Sequence, residues 1–297
     1  MAGLSLIFQH KGSMAQFYRR FVPRRVRDWF YTQRQSINYA LDVYRRQRLY
    51  ARWRDRRQVD ALVPFAGFTA HINDGREYVT CVKTLLVWRI YAFRAQRPDP
   101  LIVDAGSNIG MSILYFKSIY PNARIIGFEP DPTLLPLLYD NIERNRLEGV
   151  QIVEAALSNR EGTLTLYAQG HASTTFTPSN SAQTFPVKTV RLHHYLNQPV
   201  DFLKMNIEGS EWAVLSDCED VLPNVKEMVV EYHHFPQLER NLHEILALLH
   251  RTGFEYTITD FNEKRDKTQM LPFHLNALDH YYYVLIYARR SQNRANH

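Results

Sequence analysis

No stretch restricts this chain's fold more than Leu101-Ile-Val-Asp-Ala-Gly-Ser-Asn-Ile-Gly110. Its three apolar residues read as a buried strand, and Asp104 stands where that strand ends. Gly106 and Gly110 bracket a tight turn, with Ser107 and Asn108 as capping candidates for a helix beginning near Ile109. A strand running into a glycine turn and a helix N-terminus lets backbone N–H groups approach a ligand closely. The next apolar stretch, Arg124-Ile-Ile-Gly-Phe-Glu129, also ends in a carboxylate, the arrangement that grips two ribose hydroxyls in nucleotide-binding α/β sheets.

The spacing narrows the ligand. A dinucleotide fingerprint places glycines at G-x-G-x-x-G so that backbone touches a pyrophosphate. Counted from Gly106, those positions hold Asn108 and Met111. No G-x-x-x-x-G-K-[S/T] occurs, so a P-loop is excluded as well. A ligand with ribose and adenine but no phosphate fits better, and S-adenosylmethionine is the common one. Asp104 is then expected to hold its charged amino-acid part or a bridging water, and Glu129 its ribose.

Strand and helix alternate beyond this point. Strands are expected near 100–104, 124–129, 150–155, 200–206, 226–232, 253–259 and 281–288, and helices near 109–119, 132–145, 210–216 and 236–251. This alternation specifies an α/β fold with a mostly parallel sheet covered on both faces. The final strand follows a loop instead of a long helix and is expected to enter antiparallel. Before the core, short extended pieces run from Phe65 to Asp74, and a helix is expected from Arg76 to Ala95. Thr163–Tyr167 and Phe185–Thr189 look like a hairpin. Its polar connection, 168–184, is a candidate lid, and the link 261–279 a candidate substrate wall.

The net charge of +6 is unevenly spread: residues 19–60 carry 13 Arg against 4 Asp, leaving residues 61–297 at about −4. The arginines interleave with aromatics such as Phe17, Trp29, Tyr44 and Trp53, which marks residues 1–64 as a helical, basic extension. Three readings stay open for it, in falling order: packing on the body or a second subunit, lying on an anionic membrane, and binding nucleic acid. No RNA-binding motif accompanies the charge, so nucleic acid is not the expected partner. Residues 65–290 form the expected main domain, with a tail at 291–297. Two cysteines in a long α/β chain suit a reducing compartment, the cytoplasm, with the arm able to touch a membrane surface. No apolar run reaches the roughly 18–20 residues of a membrane span.

Polar residues interrupt a strand that should be apolar on both faces. In Val200-Asp-Phe-Leu-Lys-Met-Asn-Ile-Glu-Gly-Ser-Glu211, Lys204, Asn206 and Glu208 recur every second residue and share one face. At the carboxyl end of such a strand they fall in the crevice where α/β sheets bind ligands. Glu231 and His233 likewise share a face of the strand ending at His234, and an unperturbed imidazole suits proton removal near neutral pH. Adjacent strand histidines diverge, and neither H-x-x-x-H nor H-E-x-x-H occurs, so no metal site is expected.

Together, Val103-Asp-Ala-Gly-Ser-Asn-Ile-Gly110, Phe128-Glu-Pro130, Asp201–Glu211 and Glu231-Tyr-His233 resemble the FkbM family of S-adenosylmethionine-dependent methyltransferases over about residues 65–290. The resemblance implies a Rossmann-like class I methyltransferase fold, with a seven-stranded, mostly parallel sheet and a reversed last strand. It implies O-methylation of a sugar, glycan or natural-product hydroxyl. It assigns Asp104, Gly106, Asn108, Gly110 and Glu129 to the cofactor, and Glu154 with Ala155 to the adenine; Ser107 and Pro130, inside the same motifs, go with them. The family's aspartate in K-x-D-x-E-G-x-E is Asn206 here, which can hydrogen-bond but cannot take a proton. His233 is then the expected base, oriented by Glu231 or Glu208, with Asn206 and Lys204 lining the acceptor pocket. The rival reading is a noncatalytic scaffold docked through its basic arm.

Overall fold

Leu101–Ala105 (β3) and Val200–Met205 (β10) are buried at every position, as central parallel strands must be. The computed structural model describes residues 48–49, 51–168, 174–175, 183–235, 237–260 and 282–291. Most of the N-terminal arm, most of the lid at 168–184, the link at 261–279 and nearly all of the tail lie outside them. Arg56–His297 form one compact unit, which contains both the strands of the main sheet and the candidate site residues.

The unit opens with a hairpin, Ala61–Phe65 (β1) against Phe68–Ile72 (β2), which begins inside the stretch expected to be helical. Asp74 then caps Gly75–Cys81 (α1), accepting from the amides of Arg76 (2.7 Å) and Glu77 (3.0 Å). The helix expected to reach residue 95 stops earlier. Val82–Val87 continue it as a wider π-type turn, and Arg89, at φ 55°, deflects the chain. The deflection drives Ile90 and Tyr91 into the core, a tertiary demand that the periodicity does not carry.

Strand order in the main sheet follows from the alternation. Arg124–Phe128 (β4) and Val150–Val153 (β5) lie to one side of β3; β10 and Val225–His234 (β11) lie to the other. Tyr282–Arg290 (β13) then pairs antiparallel with both β11 and Phe254–Asp260 (β12), giving seven strands with a reversed last one. Met111–Ile119 (α2), Leu135–Arg144 (α3), Glu211–Ser216 (α4) and Leu242–Arg251 (α5) connect them. α5 buries Ile245, Leu248 and Leu249, the stripe that an amphipathic helix turns to a sheet. This is the Rossmann-like class I methyltransferase topology.

Between β5 and β10 the chain builds a second, four-stranded sheet from Ala156–Ser158 (β6), Gly162–Ala168 (β7), Thr174–Thr175 (β8) and Gln183–Arg191 (β9). The expected hairpin is the β7–β9 pair. At the amino ends of the main strands, the buried carboxylate of Asp201 accepts from the Leu101 amide (2.9 Å) and pairs with Lys226 (2.7 Å). Among the described residues no helix is long and apolar enough to cross a membrane.

Candidate active site

The glycine turn closes on the next strand. The amides of Gly106 (3.1 Å) and Ser107 (2.8 Å) both donate to the Phe128 carbonyl, and the Asn108 amide donates to Glu129 (2.7 Å). The second oxygen of Glu129 accepts from the Asp131 amide at 2.9 Å. Burial pushes the Glu129 carboxyl up to about 7, against the pull of those two amides. Gly106 has φ 86°, and a Cβ there would lie 1.9 Å from the Asn206 carbonyl oxygen, so no other residue fits. Ser107 and Asn108 do not cap the helix as expected: α2 starts at Met111, and its N-cap residue is Gly110.

Beside this turn opens a cleft of about 660 Å³. Gly106, Asn108, Glu129, Pro130 and Ala155, five of the residues assigned to the cofactor by the resemblance, line it. Asp104 is fully buried and does not reach the cleft. Its carboxylate is taken by Ser112 Oγ (2.6 Å) and by Lys204 Nζ (3.1 Å), its neighbour in the β3–β10 register. Ser107 faces a different, adjoining cavity, and Glu154 is exposed and accepts from Tyr139 (2.6 Å). Sequence reasoning missed the apolar walls Leu134, Leu157 and Leu166. Leu166 comes from β7, and nothing in its local pattern shows that the second sheet folds over this cleft.

That second cavity, about 1280 Å³, lies against the first and shares Gly106, Asn108, Asn206 and Glu208 with it. Glu208 sits at φ 54°, a strained conformation for a non-glycine residue that recurs at functional turns. His233 lines the cavity with Nδ1 3.1 Å from Glu211 and Nε2 3.9 Å from Glu208. Glu211, at the start of α4, is itself held by the Gly209 amide at 3.0 Å. Burial opposes charge on His233, but the Glu211 hydrogen bond and the fields of Glu208, Glu211 and Glu231 override it, pushing the imidazole up to about 9. Burial also raises the Glu208 carboxyl, with His233 pulling it down.

The structure therefore brings Lys204, Asn206, Glu208, Glu231 and His233 to one cavity, with different pairings from those expected. The orienting carboxylate is Glu211, because the turn at Glu208 and Gly209 swings α4 back under β11. Glu231 accepts instead from Tyr91. Lys204 is held by Asp104 and by the carbonyls of Ala105 (3.3 Å) and Gly106, beneath the glycine turn. The Asn206 side-chain oxygen is buried on the rim between the two cavities and, among the described residues, has no hydrogen-bond partner. The imidazole also departs from the near-neutral value expected for a base.

Several known proteins with related sequences are methyltransferases. Methyltransferase sdnD of Sordaria araneosa is 29% identical over 59% of this chain and 78% of its own length. The 31-O-demethyl-FK506 methyltransferase FkbM of Streptomyces tacrolimicus is 26% identical over 65% of this chain and 87% of its own length. The 2-O-methyltransferase NoeI of Sinorhizobium fredii is 25% identical over 50% of this chain and 70% of its own. These relatives are enzymes, which displaces the scaffold reading. Residues 104–256, from the carboxylate under the glycine turn to the start of β12, match the Methyltransferase FkbM domain. The turn, the strained Glu208 bend and His233 all fall inside that match, and the chain belongs to the FkbM methyltransferase family.

Proposed function

We propose that the protein transfers a methyl group from S-adenosylmethionine to a hydroxyl of a sugar, glycan or natural product. The observation that carries this reading is the meeting of two cavities at Asn206 and Glu208, with His233 facing the junction. The donor's chemistry fits the first cavity. Glu129 offers carboxylate oxygens to ribose hydroxyls, Leu134, Leu157 and Leu166 offer apolar walls to a base, and the orphaned Asn206 oxygen offers an acceptor to an ammonium. Bound there, S-adenosylmethionine supplies an electrophilic methyl on a sulfonium.

The chain's own residues have two tasks. The first is to hold the acceptor oxygen in line with the methyl–sulfur bond, since orientation supplies most of the acceleration in such a displacement. The 3.9 Å between His233 Nε2 and Glu208 leaves room for this: an oxygen at about 2.8 Å from each would subtend roughly a right angle. The second is to remove the hydroxyl proton. With Nδ1 committed to Glu211, His233 presents Nε2 to the acceptor and takes the proton there. A positive charge placed at the Glu208 rim opposes protonation of His233 and lowers its pKa toward the working range.

The test is calorimetry with S-adenosylmethionine, followed by incubation of the enzyme with labelled cofactor and fractionated extract and identification of the product. Binding and a methyl ether are expected, and His233→Ala should keep the binding and lose turnover. No binding, or full turnover by His233→Ala, overturns the proposal.

A further inference from the structure

We propose that the methyl acceptor carries a protonated amine and that Glu77 binds it, making Glu77 the residue that sets acceptor charge specificity. This deepens the methyl-transfer reading and rests on it only for the identity of the bound molecule as acceptor. Glu77 lines the second cavity and does not reach the first. Among the described residues its carboxylate accepts no hydrogen bond and forms no ion pair; its amide alone is engaged, with Asp74. Burial raises its pKa, and the neighbouring Asp74 charge adds to that, with Arg76 and Arg57 opposing from the surface. The side chain is partly buried at the cavity wall, and its carboxylate is open to whatever fills the cavity.

Six of the hydroxyls around the cavity already donate to the protein: Tyr78 to the Pro64 carbonyl, Thr80 to Arg76, Thr84 to Thr80, Tyr91 to Glu231, Ser107 to the Asp104 carbonyl and Ser112 to the Asp104 carboxylate. Lys204 spends its donors on Asp104 and two backbone carbonyls. With the Asn206 oxygen on the shared rim given to the donor's ammonium, the Glu77 carboxylate is the acceptor left facing the space.

Charge points the same way. Glu77, Glu208 and Glu231 line the cavity, with Asp104 and Glu211 directly behind. Against them stand Lys204 and His233, each already paired with a carboxylate. The Cys81 thiol beside them is pushed up to about 12, first by burial and then by Glu77 and Glu231, with Lys204 opposing. A sulfonium donor brings one net positive charge to the Asn206–Glu208 rim and leaves Glu77 unmatched. An ammonium, with three N–H donors and one charge, answers both deficits, and an anionic acceptor is excluded.

The test uses three sugars built on the same pyranose ring: glucosamine, N-acetylglucosamine and glucuronate, titrated by NMR into wild type and Glu77→Gln, each with calorimetry for S-adenosylmethionine. Glucosamine should bind about tenfold tighter than its N-acetyl form, as for a charge-assisted hydrogen bond. Glucuronate should not bind. In Glu77→Gln the preference for the amine should vanish, with cofactor affinity unchanged. No glucosamine binding, equal binding of the two neutral-or-cationic sugars, or a preference surviving in a folded Glu77→Gln overturns the proposal. Should Glu77→Gln fail to fold, the wild-type series decides alone. Loss of cofactor binding with the amine preference intact would sink methyl transfer, and with it the ligand's identity as methyl acceptor, and leave Glu77 as an amine-binding residue.

Discussion

Gly106 and Gly253 form a matched pair for testing the close approach beneath the glycine turn. Both have φ 86°, so replacing either with alanine carries the same left-handed penalty, about 1–2 kcal/mol. They differ in surroundings. A Cβ on Gly253 meets nothing within 4 Å, whereas one on Gly106 would lie 1.9 Å from the Asn206 carbonyl oxygen. That oxygen belongs to backbone and must retreat by roughly 1 Å to reach even the closest real contacts, an overpacking that typically costs about 1–3 kcal/mol. The retreat also strains the 2.9 Å bond from the Asn206 amide to the Ala105 carbonyl, where β10 and β3 end together, and adds about 1 kcal/mol. Gly106→Ala should therefore lose about 4 kcal/mol in urea unfolding and Gly253→Ala about 1–2, with similar m values. Unfolding free energies equal within about 0.5 kcal/mol would refute the contact, since independent sites are resolved at that level.

Two further outcomes probe the junction. In the proposed mechanism methyl transfer needs His233 neutral, so kcat/KM for S-adenosylmethionine, which reports the free enzyme, should rise with pH toward a midpoint near 9. Glu211→Gln removes a hydrogen bond and a charge that hold the proton, so its rising limb should move to lower pH and its plateau should fall; an unmoved limb would deny Glu211 its positioning role. Asn206→Leu deletes the orphaned oxygen. Cofactor affinity, followed by calorimetry, should drop about tenfold while unfolding free energy holds or rises, because a buried acceptor without a partner is lost. A loss of stability with unchanged affinity would reverse that assignment.

Much of the main sheet is legible in the chain because its signals are local. Apolar runs ending at Asp104 and Glu129 mark where strands stop, and the loop before Tyr282 foretells the reversed strand. Lys204 on a strand that should be apolar announces a buried charge; its partner Asp104 emerges only from the β3–β10 register. The site's finer pairings depend on turns that single residues decide. Glu231 and Glu208 look equally able to orient His233, and the bend at Glu208 gives that task to Glu211. Tyr91 reaches Glu231 because Arg89 breaks a helix whose apolar spacing continues past it. Leu166 arrives from a separate sheet, and its own segment reads only as half of a hairpin.

β10 carries Asp201 at one extremity and Asn206 just past the other, and the two do unlike work. Asp201 fastens the starts of three adjacent strands through the Leu101 amide and Lys226. The architecture is thus anchored at the end of the sheet remote from the reactants. Side chains around the second cavity can therefore be exchanged without loosening that anchor.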